Sequence, residues 1–374
     1  MEKKIDFPKK CILVLIGFSI AFDFHFGYIL AAPLLWLYVR NRPFNLKLIN
    51  LFILVIIFII QFLFSYEELF LPEPFITLIR YILMCSILFL LIARLDYYHN
   101  KFFLNSLSFF MILNGLVIFG FSFYLKEITE INYGYGRLFN PVHGVETISP
   151  KISISTLSGL VIYCFCDFSK NGIKKIIICF LCLSGFWFVQ SRIAIILTIL
   201  LLLIYGYLQA KLYIVSFKRL IIFGLCIFIT MISISIYTYQ NHVESFNDAP
   251  QSRLAEDGLK SKRFEHWEDG FEKTIMNPLG GFKVDPKIEM VNYFHNILID
   301  SARINGFISL IPCLLIIFYC YYLICHYSDD YLYLNIISLS MVVIVLMQDV
   351  IVEGNFVIFF IMLTYSICSY KKRY

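Results

Sequence analysis

A chain of 374 residues that is 60% hydrophobic, 18% aromatic and only 15% charged is too apolar to bury its side chains in a water-soluble fold, where about a quarter of residues carry charge. Lipid removes that difficulty, because apolar side chains can face outward there. The net charge of +5 comes without a basic patch or binding motif, which argues against nucleic acid as a partner.

The apolar runs set the architecture. A helix rises about 1.5 Å per residue, so crossing a hydrocarbon layer of about 30 Å takes roughly 20 residues. Residues 11–39 are apolar except at their middle, where Asp23 and His25 stand. They read as two short passes joined by a polar hairpin. Further runs lie near 46–65, 75–94, 102–125, 150–168, 173–190, 192–209 and 219–240, then 307–326, 332–349 and 354–370. The expected fold is an all-α polytopic membrane protein of about twelve transmembrane helices with one large periplasmic loop.

Charge predicts the orientation, since short cytoplasmic connections collect Lys and Arg. With the N-terminus inside, the cytoplasmic segments 1–10, 40–47, 94–101, 169–175, 210–219, 326–331 and 371–374 hold more than half of the 31 Lys and Arg, although 326–331 has none. The short outside connections 23–27, 66–74 and 350–353 hold none, and 126–151 holds Lys126, Arg137 and Lys151. The organisation that follows is helices 1–9 within 1–240, an outside loop at 241–305, and helices 10–12 within 306–374, with both termini cytoplasmic. The eleven cysteines all fall in apolar runs, which implies no disulfide framework. Cys179 and Cys182 form a CxxC pattern without other ligands nearby and read as small buried hydrophobes. No metal site is expected.

Gln190-Ser191-Arg192 separates two apolar runs with almost no loop. A very tight outside turn is expected, with Arg192 either facing a polar cavity or snorkelling to headgroups.

The loop at 241–305 carries eleven acidic and eight basic residues, a mixture that suits a small folded cap. Phe264, Trp267, Phe271 and Ile275 recur at helical spacing and predict an amphipathic helix. At the membrane interface its aromatic stripe would face lipid or neighbouring helices; the alternative is a surface helix that only covers the bundle. Arg263 lies near that stripe. Asn277-Pro278-Leu279-Gly280-Gly281 stops the helix. Tyr293-Phe294-His295-Asn296 then opens a mixed stretch, Ile297 to Gly306, before the next span. His295 would sit near the outer membrane surface, as a structural or a catalytic histidine.

The order of these features resembles the bacterial O-antigen polymerase and O-antigen ligase family. The resemblance rests on Ser191-Arg192 at the start of a span, then Arg263, Trp267, Ile275, Pro278 and Gly281 in a large loop, then His295-Asn296, Leu298 and Gly306 before the next span. Two departures stand out: Gly280-Gly281 replaces a common Gly-x-Gly, and no second glycine follows Gly306 closely.

The resemblance implies a multi-span glycosyltransferase of the GT-C type in the bacterial inner membrane, with a donor linked to undecaprenyl diphosphate and no cofactor. It implies membrane lipids and a polysaccharide chain-length regulator as further partners. Arg192 and Arg263 would hold the diphosphate, since a guanidinium grips phosphate oxygens in a planar fork. His295 would accept or position the acceptor hydroxyl's proton. Asn296 would orient the acceptor or the imidazole, and Trp267 would stack on a sugar or guide the lipid. A polymerase extends the glycan on its lipid carrier, whereas a ligase moves it to lipid A core. A lipid-linked oligosaccharide flippase is the alternative of another class, though no internal repeat is evident.

Overall fold

The computed structural model describes residues 7–24, 97–129, 131, 133, 134, 136–166, 172–213, 262–284, 294, 296–327 and 332–347, with isolated positions at 33, 36, 50, 53–57, 362 and 365. These residues are predominantly helical. In chain order they form α1 (Phe7–Ala21), α2 (Tyr97–Ile128), β1 (Leu138–Asn140), β2 (Val145–Thr147), α3 (Ser149–Cys166), α4 (Gly172–Phe188), α5 (Arg192–Tyr213), α6 (Lys262–Met276), α7 (Ile297–Asn305), α8 (Phe307–Tyr327) and α9 (Leu332–Leu346).

Among the described residues, three helical segments are long and apolar enough to cross a membrane: His99–Ile128, Ser149–Cys166 and Phe307–His326. Shorter apolar helices occupy Arg192–Tyr207 and Leu332–Leu346. The runs near 75–94 and 219–240 lie outside the described residues, and those near 46–65 and 354–370 lie almost wholly outside them. Within 11–39, α1 ends at Ala21 and the chain turns through Asp23, whose φ is 59°. The second pass expected there lies almost wholly outside the described residues.

The chain divides into two compact units. One comprises Met1–Gly115, Ile154–Cys166 and Lys262–Tyr374; the other comprises Leu116–Ser153 and Asp167–Ser261.

In the first unit, α1, α2 and α3 meet through small residues. A Cβ on Gly115 of α2 would lie 1.9 Å from Thr156 Oγ1 of α3. Small residues let backbones approach closely, which is how helices gain contact where lipid supplies no hydrophobic drive. Asn114 donates its Nδ2 to the Ala21 carbonyl at 2.8 Å, satisfying an oxygen that the last turn of α1 leaves open. The serines of these apolar helices serve themselves: Ser108 and Ser158 each donate to the carbonyl four residues earlier, so a hydroxyl in an apolar layer carries its own acceptor.

In the second unit one short hairpin, not expected from the sequence, accompanies the helices. Between α2 and α3 the chain forms an antiparallel hairpin, with Leu138 opposite Thr147 and Asn140 opposite Val145. Asn140-Pro141 starts the reversal, and Asn140 Oδ1 accepts from Val142 N at 3.0 Å. Gly144, at φ 66°, closes it. Ser122 of α2 anchors the hairpin in both directions: its Oγ accepts from Phe139 N at 2.9 Å and donates to Phe139 O at 3.3 Å. Arg137 and Glu146 pair across the strands. The Glu146 hydrogen bond raises the Arg137 pKa above its ordinary value.

Two boundaries also move. α4 begins at Gly172, so Lys174 and Lys175 belong to the helix and not to the preceding connection. The stretch from Ile297 to Asn305 is a helix of its own, α7.

Candidate functional site

The turn before Arg192 is as tight as the sequence suggests, and its hydrogen bonds explain how. α4 ends with Ser191 N donating to Phe186 O and Gln190 N donating to Trp187 O, both at 3.0 Å. This pair of bonds is the Schellman closure, which puts its penultimate residue in the left-handed region. Here that residue is Gln190, at φ 55°, where glycine is usual and another side chain costs about 1 kcal/mol. Ser191 O then accepts from Ile195 N at 3.0 Å, so α5 starts at once. Arg192 is its first residue and is half-buried.

The loop features belong to the other unit. α6 spans Lys262–Met276, as the spacing of Phe264, Trp267, Phe271 and Ile275 predicts. Arg263 stands in its first turn; its side chain lies outside the described residues. The expected aromatic stripe does not act as one face. Trp267 turns inward and donates its indole Nε1 to the Phe294 carbonyl at 3.1 Å. It packs with Leu310 against a cluster of Phe282, Val284, Phe294, Ile299 and Ala302. Phe271 and Ile275 are exposed instead. The residues that α6 buries are His266, Gly270 and Thr274. Gly270 permits this contact, because a Cβ there would lie 2.5 Å from Ile299 Cγ2 and 2.7 Å from Phe294 Cδ1.

The stop after α6 fits its sequence. Asn277 N donates to Lys273 O at 2.8 Å and Gly280 N to Asn277 O at 2.9 Å. Lys273 bonds Asp269 Oδ2 at 2.7 Å and reaches the Lys283 carbonyl at 2.9 Å. The turn is then tied to the far end of the loop by main chain alone. Gly281 N donates to Arg303 O at 2.7 Å, and Phe307 N donates to Pro278 O at 3.0 Å. These two bonds clasp the segment 278–281 to 303–307. Gly306 lies inside the clasp at φ 60°, and a Cβ on it would fall 1.9 Å from Pro278 O. Only glycine meets both demands. Pro278, Gly281 and Gly306, three separated motif positions, thus serve one junction.

His295 lies outside the described residues, but its neighbours on both sides are described. Asn296 is the N-cap of α7, its Oδ1 accepting from Leu298 N at 3.0 Å and Ile299 N at 3.5 Å. That is a capping role, and it occupies the oxygen considered above for orienting a substrate. Asp300, only 2% exposed, was not anticipated from sequence. Its Oδ1 accepts from Phe294 N at 2.9 Å and its Oδ2 from Asn296 N at 3.0 Å. Both neighbours of position 295 are therefore pinned by one buried carboxylate, and Phe294 is held a second time by Trp267. Arg303, 3% exposed, was also missed. The available signal was the pairing of a capping Asn with an Asp in the first turn that follows, a variant of the capping box.

The structure thus brings Trp267 and Asn296 together around position 295, with Arg263 on the same helix as Trp267, whereas Arg192 belongs to the other unit. Among the described residues no group of three His, Cys, Asp or Glu converges as metal ligands do. Compared with protein-family models and with curated proteins, the chain matches none.

Proposed function

We propose that this protein is an O-antigen polymerase: a glycosyltransferase that moves an undecaprenyl-diphosphate-linked glycan onto a new lipid-linked repeat unit at the periplasmic face of a bacterial inner membrane. The observation that carries the reading is the order Arg192, Arg263, Trp267, Pro278, Gly281, His295-Asn296, Gly306 along an apolar chain. Joining Pro278 and Gly281 to the Arg303–Phe307 segment by main-chain hydrogen bonds supports it, because residues spaced far apart in the motif then share one physical purpose. A twelve-helix topology with both termini cytoplasmic is part of the same reading.

In this reading Arg192 and Arg263 hold the donor diphosphate and stabilise the charge that grows as it departs. His295 takes or positions the proton of the attacking hydroxyl. Asp300 and Trp267 hold the chain on either side of it, and Asn296 acts through the α7 cap.

The test is glycan chain length in cells producing Arg192→Ala, Arg263→Ala or His295→Ala variants, with the amount of protein in the membrane verified. Each is expected to abolish the lipopolysaccharide ladder. Wild-type ladders from all three variants would sink the proposal. The product separates the two members of the resemblance. Loss of a polymerase leaves lipid A core bearing a single repeat unit, whereas loss of a ligase leaves core without O-glycan.

A further inference from the structure

We propose that the outer flank of α6 and the turn after it are inserted in the lipid leaflet that α8 enters, so that this cap is seated in the membrane and does not stand above it. The inference rests on how α6 distributes its residues and does not depend on the enzymatic reading.

Around the helix, three sectors follow one another. The packed sector is His266, Gly270 and Thr274, polar or small side chains. After Trp267 comes an exposed apolar sector: Phe271 is 52% exposed and Ile275 75% exposed. The third sector is acidic and exposed, with Glu265, Glu268 and Glu272. A helix seated on a protein core in water buries its apolar sector and shows the polar ones. This one, among its described side chains, packs Trp267 inward beside small and polar residues, and shows phenylalanine and isoleucine. Leu279, 78% exposed, adds apolar surface in the turn.

Continuity with α8 identifies the occupant. The main-chain bond from Phe307, the first residue of α8, to Pro278 O places Leu279 beside the point where that apolar helix begins. α8 in turn shows an outward stripe of Phe307, Ile308, Ile311, Leu315, Phe318 and Tyr322, the spacing of a helix flank turned to lipid. An apolar sector beside an acidic one, at the mouth of a membrane-spanning segment, is the pattern of a helix lying in the interface. The acidic sector then faces water and the apolar sector faces acyl chains.

Photo-crosslinking of the full chain tests this. p-Benzoylphenylalanine is introduced singly at Ile275, Leu279, Glu268 and, as a lipid-facing reference, Phe318. The protein is reconstituted in vesicles of phosphatidylethanolamine and phosphatidylglycerol, irradiated, and examined by mass spectrometry. Lipid adducts are expected at 275, 279 and 318, with at least a fivefold lower yield at 268. Adducts at 318 without adducts at 275 and 279 would overturn the proposal. So would a cross-link from 275 or 279 to a second copy of the chain, which would make the flank a protein interface. Two independent positions on the flank keep the outcome readable if one variant fails to fold.

Discussion

The hairpin between α2 and α3 and the clasped loop between α6 and α8 solve the same problem differently. Each must hold a polar connection in shape beside apolar helices. The hairpin is fastened mostly at its surface: Arg137 pairs with Glu146, and the two side chains remain 54% and 44% exposed. Among the described residues two buried hydroxyls fasten it as well: Ser122 bonds Phe139, and Ser149 Oγ accepts from Gly136 N at 2.8 Å. The clasped loop is fastened inside. Two main-chain bonds close its base, and the Asp300 carboxylate holds Phe294 and Asn296. Exposed ion pairs contribute little because water and salt screen them. Buried donors deprived of their acceptor lose a full share of solvation. The loop is therefore built for a fixed geometry and the hairpin for tolerance.

Three substitutions sharpen that contrast. The largest effect is expected from Gly306→Ala, which adds a Cβ against Pro278 O and forces an L side chain to a positive φ. We expect a loss of about 3 kcal/mol or more, seen as little folded protein in the membrane fraction or a markedly lower melting temperature in detergent. A near-normal melt would mean that the clasp is loose. Next comes Asp300→Ala, which strands two buried N–H groups at about 1–3 kcal/mol each. Asp300→Asn keeps one acceptor and should lose roughly half as much. Equal melting temperatures for these two variants would show that only one of the bonds matters. Smallest is Arg137→Ala, for which the melting temperature should not move measurably. A clear drop there would erase the distinction between the two regions.

Much of this organisation was legible beforehand, and the exceptions have a common cause. α6 and its stop were readable because helical spacing and an Asn-Pro followed by paired glycines are local signals. The tight turn at Gln190 was readable from the absence of loop residues between two apolar runs. The hairpin was missed although Asn140-Pro141 and Gly144 punctuate it, because strands of three residues carry too short an alternation to stand out. The division of the α6 stripe, with Trp267 packed and Phe271 and Ile275 exposed, was not readable, because periodicity shows which residues share a flank and not which of them pack. That choice was made by Gly270, whose missing Cβ lets Phe294 and Ile299 come close. Asp300 escaped notice because a lone acidic residue in a polar-to-apolar transition looks solvated until its two donors are known.

The clasp also separates two kinds of change. A segment closed at its base by main-chain bonds keeps its two ends together when residues between them are added or removed. Gly281 and Arg303 are bonded whatever number of residues joins Val284 to Phe294, and Phe307 still enters α8 from Pro278. The depth at which α8 starts is thereby insulated from the loop's length. Material inserted between 284 and 294 would leave both clasp bonds, and the helix behind them, in register.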